Sequence, residues 1–158
     1  MVLASIAAWS IARSVTEPLK KAVWLMSEIG QGHLSERIEL EQKDELGELS
    51  RTMDQFGSDL KQHVVGVLNQ LAAGDLSAQL ILKDDRDEIS PALHSIKSSL
   101  ETLVEEGTAL TEAAQRGDLG KRVESGKVDG AFRDVLQGMN DTLDAVLDPI
   151  NEAADVLE

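Results

Sequence analysis

Three stretches of this chain, GHLSERI at residues 32–38, GDLSAQL at 74–80 and GDLGKRV at 117–123, share the pattern Gly-x-Leu-x-x-x-aliphatic. Successive glycines of the pattern stand 42 and 43 residues apart. A pattern that returns at nearly constant spacing is typical of repeated structural units, each too small to bury a core alone. The sequence therefore predicts three tandem repeats instead of one compact globule.

An acidic pair follows the pattern at a matching distance in the first two repeats. The pairs are Asp44-Glu45 in DELGEL and Asp87-Glu88 in DEISPA, whereas the third repeat keeps one acid, Asp129. Carboxylates in the first turn of a helix are stabilised by the partial positive charge of its N-terminus. The pairs therefore predict helix starts, and a carboxylate that also touches the neighbouring helix would couple the two helices.

Between these patterns, apolar residues recur in steps of three and four, as on a helix that keeps one face against a partner. The pattern glycines end the preceding helices, because glycine readily adopts the left-handed conformation of a helix C-cap. We therefore predict long helices over 45–73 and 88–116. The step from Leu60 to Val64 is four where three is due, and such a phase shift marks the junction of two coiled-coil units.

The segments between the helices are longer than the roughly two to five residues of an antiparallel helix hairpin. Each can run back along the preceding helix and start a second helix in the same direction. Two parallel helices bury too little surface alone, so a homodimer that forms a parallel four-helix bundle is predicted. The predicted dimer core comprises Leu49, Met53, Phe56, Leu60, Leu93, Ile96, Leu100, Met139, Leu143 and Val146.

The predicted fold class is thus all-α, with parallel dimeric four-helix coiled-coil bundles stacked in series and non-helical connectors between the helix pairs. Each connector carries two aliphatic residues, four positions apart, that would pack it against the bundle. These residues are Leu34 and Ile38, Leu76 and Leu80, and Leu119 and Val123.

The composition excludes several other classes of protein. A net charge of -14 would repel the phosphate backbone, so nucleic acid is not an expected partner. Cysteine is absent, and His33, His63 and His94 have no Asp, Glu or Cys at a recognisable catalytic or zinc-ligand spacing. No enzymatic activity, metal or cofactor is therefore predicted.

The first residues include an uncharged apolar stretch, VLASIAAWSIA at 2–12, which is closed by Arg13. This stretch is too short to span a bilayer, which takes about 20 residues. An apolar stretch with basic residues after it is typical of the cytoplasmic end of a transmembrane helix, and a short buried helix is the alternative. We therefore predict that residues 1–17 comprise the end of a transmembrane segment and the juxtamembrane region, and that the rest is a cytoplasmic segment of a cell-membrane (inner-membrane) protein.

Together, these features resemble the HAMP domain, the linker module of bacterial receptors and sensor kinases. The first repeat matches best, although His33 replaces the usual aspartate. The second has Ser90 in place of a glycine and no leading proline, and the third departs at the acidic pair. The residues at landmark positions are Pro18, Gly32, Leu34, Ile38, Asp44, Glu45 and Gly47 in the first repeat, Gly74, Leu76, Leu80, Asp87 and Glu88 in the second, and Gly117, Leu119 and Val123 in the third.

The resemblance divides the chain into a first HAMP domain at 18–62, a second at 63–104, and a third with the start of an output helix at 105–158. Residues 130–157 are similar to the stretch that leads into the signalling helices of methyl-accepting chemotaxis proteins, through GMN at 138–140 and TLD at 142–144.

The function that the resemblance implies is a signal relay that passes motion of an upstream transmembrane sensor to a downstream signalling domain of the same chain. Two alternatives remain, which are the same relay in a sensor histidine kinase and a structural coiled-coil spacer. Glu105-Glu106 are similar to the glutamate pairs that are methylated in chemoreceptors, but the small-residue flanks are incomplete. A solvated helix face is the favoured interpretation of that pair.

Overall fold

The computed structural model describes residue 9, residues 12–81 and residues 84–156, with the side chains at 12, 151 and 153–156 excepted. Every regular element within these residues is helical, which confirms the predicted all-α fold. The chain divides into two compact units, Met1–Ala73 and Gly74–Glu158, and each is described by itself.

The first unit consists of two long helical stretches joined by a connector. A π-helical turn, Ala12–Thr16, leads directly into α1, Glu17–Gly30. Helix α2, Glu45–Asp59, continues through a π-helical segment, Leu60–Val65, into α3, Gly66–Ala72. The backbone stays helical from the start of α2 to the end of α3, as predicted, but the middle of this stretch is π-helical.

The π-helical segment coincides with the predicted phase shift in the apolar series. It begins at Leu60 and includes Val64, the two residues between which the step is one too long. A π-helical turn, with its hydrogen bonds from residue i to i+5, holds about one residue more than an α-helical turn. The extra residue is therefore accommodated without breaking the helix.

The core of the first unit joins both helices to the connector. Ala22 and Leu25 of α1, Ile38 of the connector and Met53 of α2 form one buried cluster. The partly buried side chains that pack against this cluster are Ile29 and Leu40.

Contacts at both ends of the first unit show that α1 and α2 run in the same direction. Just before the two helices begin, the Gln42 side chain donates to the backbone oxygen of Ser14 (3.2 Å). Near the end of α1, Cδ1 of Ile29 lies 3.6 Å from the point where a Cβ on Gly57 would stand. The start of α1 therefore lies beside the start of α2, and the end of α1 lies near the end of α2, as the length of the connector predicts.

The second unit repeats this plan with α4, Ile89–Gln115, and α5, Gly130–Val156, after a short 3-10 turn at Ser125–Lys127. Its buried cluster comprises Val123 and Val128 of the connector and Leu136 of α5. The side chains packed around that cluster are Leu103, Leu110, Phe132 and Met139.

The pattern glycines end the helices as predicted. Gly32, Gly74 and Gly117 have φ angles of +88°, +79° and +79°, in the left-handed region that glycine adopts without a steric penalty. In the first repeat the amide of His33 donates to the oxygen of Glu28 (2.9 Å), which completes a Schellman motif. The third repeat closes in the same way.

The predicted end of a transmembrane segment falls mainly on residues 1–8, 10 and 11, which lie outside the described residues. Across the ranges that the structure describes, no helix combines the length and the apolar character needed to cross a membrane.

Candidate functional site

The start of α2 is built from a capping carboxylate and a close backbone approach. Oδ1 of Asp44 accepts a hydrogen bond from the amide of Gly47 (3.1 Å), so Asp44 is the N-cap and, of the pair Asp44-Glu45, Glu45 alone lies in the first turn. A Cβ on Gly47 would stand 1.8 Å from the oxygen of Gln42, which leaves room for glycine alone. That same oxygen accepts from Nη1 of Arg51 (3.1 Å).

Asp54 of α2 holds the connector at its second packing residue. Its Oδ1 accepts from the amide of Ile38 (2.8 Å), and its Oδ2 accepts from the amide of Glu39 (3.3 Å). Glu39 has a φ of +52°, an unusual value for a residue with a side chain. The bonds to Asp54 stabilise this backbone conformation and leave Ile38 buried in the core.

Arg37 ties the same connector together from the other side. Its Nη1 donates to the oxygen of Leu34 (2.8 Å), and its Nη2 donates to Oγ of Ser58 on α2 (2.8 Å). Leu34 itself is only half-buried. The connector is therefore attached to α2 by polar contacts as well as by the apolar residues that the sequence predicted.

The third repeat reproduces this arrangement with different residues. Asn140 of α5 accepts from the amide of Val123 (2.9 Å) and donates to its oxygen (3.0 Å). Arg122 donates to the oxygen of Leu119 (2.8 Å) and pairs with Asp144 of α5 (2.5 Å). Asn140 thus takes the role of Asp54.

The glycine of the first helix start has no counterpart in the third repeat, where Arg133 stands at the equivalent position. Nε of Arg133 donates to the oxygen of Val128 (3.1 Å), the carbonyl equivalent to that of Gln42. The connector carbonyl is therefore satisfied by an arginine in both repeats, from different positions on the helix.

A buried carboxylate on α4 adds a further attachment in the third repeat. Glu106 is 9% exposed, and its oxygens accept from Nζ of Lys127 (2.6 Å) and from the amide of Glu124 (3.0 Å). The hydrogen bond from Lys127, followed by that from the Glu124 amide, lowers the pKa of Glu106, and the hydrogen bond to Glu106 raises the pKa of Lys127. The predicted solvated face is therefore wrong for Glu106, although Glu105 is exposed.

The second repeat begins its helix differently from the first. Oδ1 of Asp87 accepts from the amides of Ile89 (2.9 Å) and Ser90 (3.0 Å). Glu88 precedes α4 and is exposed, so the prediction that this pair lies in the first helical turn is wrong in its details. Oγ of Ser90, at the position of Gly47, donates to the oxygen of Ile81 (3.2 Å).

The remaining predicted site residues are buried, half-buried or exposed in the single chain. Pro18 lies in the first turn of α1 and is buried, whereas Leu119 is 39% exposed in the single chain, so of Leu119 and Val123 only Val123 is buried. Leu76 and Leu80 are half-buried. Of the predicted dimer core, Met53 and Leu93 are buried within the chain, Leu60, Leu100, Met139 and Leu143 are half-buried, and Leu49, Phe56, Ile96 and Val146 are exposed.

Four polar residues that hold the first and third connectors are not predicted from the sequence. Asp54, Asn140, Arg37 and Arg122 lie on exposed or half-buried faces and carry no distinctive local motif. Only the two arginines share a signal in the sequence, because Arg37 and Arg122 each stand five residues after a pattern glycine. Among the described residues, no group of three or more His, Asp or Glu could hold a metal ion.

The first unit has two helices that run in one direction and a connector that is hydrogen-bonded to the second helix. This arrangement is that of a helical linker module. Residues 10–62 match a HAMP domain family model, and residues 127–158 match a second HAMP domain family model. Two separate parts of the chain are therefore similar to HAMP domains. The middle repeat lies outside both matches, so the second predicted HAMP domain, at 63–104, stays a prediction.

The chain is also similar to curated bacterial receptors. It is 26% identical over 133 residues to the methyl-accepting chemotaxis protein McpA of Bacillus subtilis, which covers 84% of this chain and 18% of that protein. It is 29% identical over 83 residues to McpQ of Pseudomonas putida, covering 49% of this chain and 13% of that protein. McpB of Bacillus subtilis is 48% identical over 44 residues, 28% of this chain and 7% of McpB.

The chain thus spans less than a fifth of the length of these relatives. No solved structure matches it. The HAMP domains and the chemotaxis relatives support the prediction of a signal-relay module, and both belong to signalling rather than catalytic proteins.

Proposed function

We propose that this chain is a relay of three tandem HAMP modules, at 18–62, 63–104 and 105–158, in the cytoplasmic part of a chemoreceptor-like membrane protein. The observation that carries the proposal is the recurrence of one connector arrangement, Asp54 with Ile38 and Asn140 with Val123, in two separate units. A spacer needs helices alone. Connectors that are hydrogen-bonded to the following helix make the helices of a module move as linked parts.

The working form that we propose is a parallel homodimer, because a single chain leaves an apolar seam uncovered. On α1, Leu19, Val23 and Met26 are 44%, 71% and 48% exposed, and on α2 Leu49 and Phe56 are 41% and 46% exposed. Removing such a stripe from water is favourable in proportion to its area. A second copy carries the same stripe on its own parallel helices and would complete a four-helix bundle.

The relay acts by repacking within each bundle. Leu25 of α1, Ile38 of the connector and Met53 of α2 share one core, so a rotation or shift of α1 changes the space available to the other two. Close-packed cores respond to such shifts by changing between discrete arrangements. The upstream sensor would move α1, and the downstream signalling domain would receive the changed packing of α5.

The dimer is tested by single cysteines at Leu100 of α4 and Leu143 of α5. In a parallel dimer, each cysteine meets its own copy across the seam, so both variants should crosslink on oxidation. Ser98→Cys and Asp141→Cys are the matched controls, since each is exposed and stands two residues away on another face of the same helix. Crosslinking that is no stronger at Leu100 and Leu143 than at the controls would contradict the parallel dimer.

The relay is distinguished from a spacer by Gly117→Val or Gly74→Val in a receptor that carries this chain between its transmembrane and output parts. Both glycines have φ of +79°, where valine is strained. A relay should be fixed in one output state or inactivated by either change. A spacer would only lose stability, and output that still follows the stimulus normally would count against the relay.

A further inference from the structure

The first and third repeats each place one residue of the connector opposite one residue of the following helix. Ile38 faces Asp54 in the first repeat, and Val123 faces Asn140 in the third. Counting from the aspartates Asp44 and Asp87, the residue of α4 that matches Asp54 is Lys97. Counting from the pattern glycines, the residue of the middle connector that matches Ile38 is Leu80. The pairing of positions rests on the threefold division proposed above.

Lys97 cannot take the role of Asp54 or Asn140, because an ammonium group donates hydrogen bonds and accepts none. It pairs instead with Glu101 on its own helix, at 3.4 Å. Gln79 stands where the outer connectors have Arg37 and Arg122. In the part of the middle repeat that the structure describes, no side chain of α4 bonds to the backbone of Leu80.

We propose that Asp54 and Asn140 are positioning residues that fasten the first and third connectors to the following helices, and that the middle connector lacks this fastening and detaches most easily. We call the bonds of Asp54 to Ile38 and of Asn140 to Val123 the connector clamps. Besides the bond from Oγ of Ser90 to the oxygen of Ile81 (3.2 Å), the described part of the middle connector is held by apolar contact, with Ala78 buried and Leu80 half-buried.

The clamps have a consequence for the relay. A module whose connector is bonded to the second helix resists changes in the spacing between connector and helix, whereas a module without those bonds opens locally at lower free energy. The two outer modules would repack with their connectors still bonded to the second helix. The middle module would absorb a mismatch between them, which makes it the compliant element of the series.

The test is amide hydrogen exchange of the 158-residue chain, resolved to single residues at Ile38, Leu80 and Val123. Exchange of a hydrogen-bonded amide requires local opening, and a bond to a polar or charged side chain slows it by about tenfold or more. Ile38 and Val123 should therefore exchange at least about tenfold more slowly than Leu80. Equal protection of the three amides in the unaltered chain would overturn the proposal, and this comparison needs no variant to fold.

Matched variants separate the clamp from simple burial. Asp54→Ala should speed exchange at Ile38 by about tenfold, whereas Asp54→Asn, which installs the residue of the third repeat, should keep an acceptor and much of the protection. In the middle repeat, Lys97→Asn should slow exchange at Leu80, and Lys97→Met, which removes the charge and supplies no comparable acceptor, should not.

Each outcome decides between the clamp and burial alone. Equal effects of Lys97→Asn and Lys97→Met, or unchanged exchange at Ile38 in Asp54→Ala, would show that burial sets the protection and the clamp does not. Exchange at these amides is measured without any signalling output. A negative result for the connector clamps is therefore distinguishable from a negative result for the dimer, which the cysteine variants test, or for the relay, which the glycine variants test.

Discussion

The oxygen of Gln42 lies where a side chain on Gly47 would have to be, 1.8 Å from the position of its Cβ. Because the obstacle is backbone, no rotamer change relieves it, and Gly47→Ala must displace the connector from the start of α2. We expect this substitution to lower the free energy of unfolding by about 2 to 3 kcal/mol, the usual cost of overpacking a buried position. Urea unfolding followed by circular dichroism measures the change.

Gly138→Ala is the matched control for Gly47→Ala. Gly138 lies inside α5, and nothing stands within 4 Å of the position of an added Cβ. Alanine favours the helix over glycine by about 1 kcal/mol, so this variant should be slightly more stable than the unaltered chain. Equal destabilisation by both substitutions would mean that the contact with Gln42 is not the cause.

The helix ends and the phase of the apolar series could be predicted because both depend on residues close together in the sequence. Gly32 and its equivalents end helices through their own φ angles, and the long step between Leu60 and Val64 appears as a π-helical segment at that place. A periodic pattern shows directly where the helix must hold an extra residue.

The connector clamps could not be predicted, because each joins residues that are 16 or 17 positions apart. Asp54 and Asn140 look like ordinary polar residues of an amphipathic helix until the connector is placed beside them. Glu106 was assigned to a solvated face for the same reason, since its partner Lys127 lies 21 residues away on the connector side. Leu119 is 39% exposed in the single chain, so its packing against a dimeric bundle stays a prediction.

Phe56 and Met53 lie one turn apart on α2 and should respond differently to truncation. Met53 is buried in the core of its own chain, so Met53→Ala should destabilise folding by about 2 to 4 kcal/mol. Phe56 is 46% exposed, and Phe56→Ala should mainly weaken the dimer, raising its dissociation constant by at least about tenfold. Analytical ultracentrifugation measures this constant.

Thr52→Ala serves as the control for the Phe56 substitution, since Thr52 is an exposed polar residue on the same helix. Its dissociation constant should equal that of the unaltered chain. If Phe56→Ala also left the constant unchanged, the seam that includes Phe56 would not be the dimer interface.

Removal of one residue from the π-helical segment should be tolerated by the helix. Deleting His63 restores the regular spacing of the apolar series and allows the stretch Leu60–Val65 to become α-helical. We expect helical content and Tm to be kept or raised, as measured by circular dichroism.

Deletion of Thr52 provides the contrast. Thr52 lies in α2, where the hydrogen bonding is already α-helical, so its loss turns the residues on one side of the gap by about 100° relative to those on the other. Met53 then leaves the core, and the Tm should fall clearly. Equal losses from the two deletions would show that the π-helical segment does not hold the extra residue.

Glu106 should make the stability of the second unit depend on pH. Its pKa in the folded chain lies below the ordinary value of 4.5, chiefly because Lys127 donates a hydrogen bond to it and the Glu124 amide donates another. As the pH falls, the unfolded chain therefore takes up this proton first, and folding is opposed. The stabilisation from ionised Glu106 is fully present above pH 4.5 and is lost as the pH falls through the lowered pKa.

Glu106→Gln removes this charge while keeping an oxygen that accepts from the Glu124 amide. Near pH 7 the variant should be less stable than the unaltered chain by about 1 to 2 kcal/mol, the scale of a hydrogen bond to a charged group. The difference should shrink as the pH falls below 4.5.

Glu105→Gln is the control. Glu105 is exposed, and charges at exposed positions contribute little to stability, so this variant should differ little in stability from the unaltered chain at either pH. Urea unfolding of the three chains at several pH values gives the comparison, and parallel curves for Glu105→Gln and Glu106→Gln would contradict a structural role for the contact between Glu106 and Lys127.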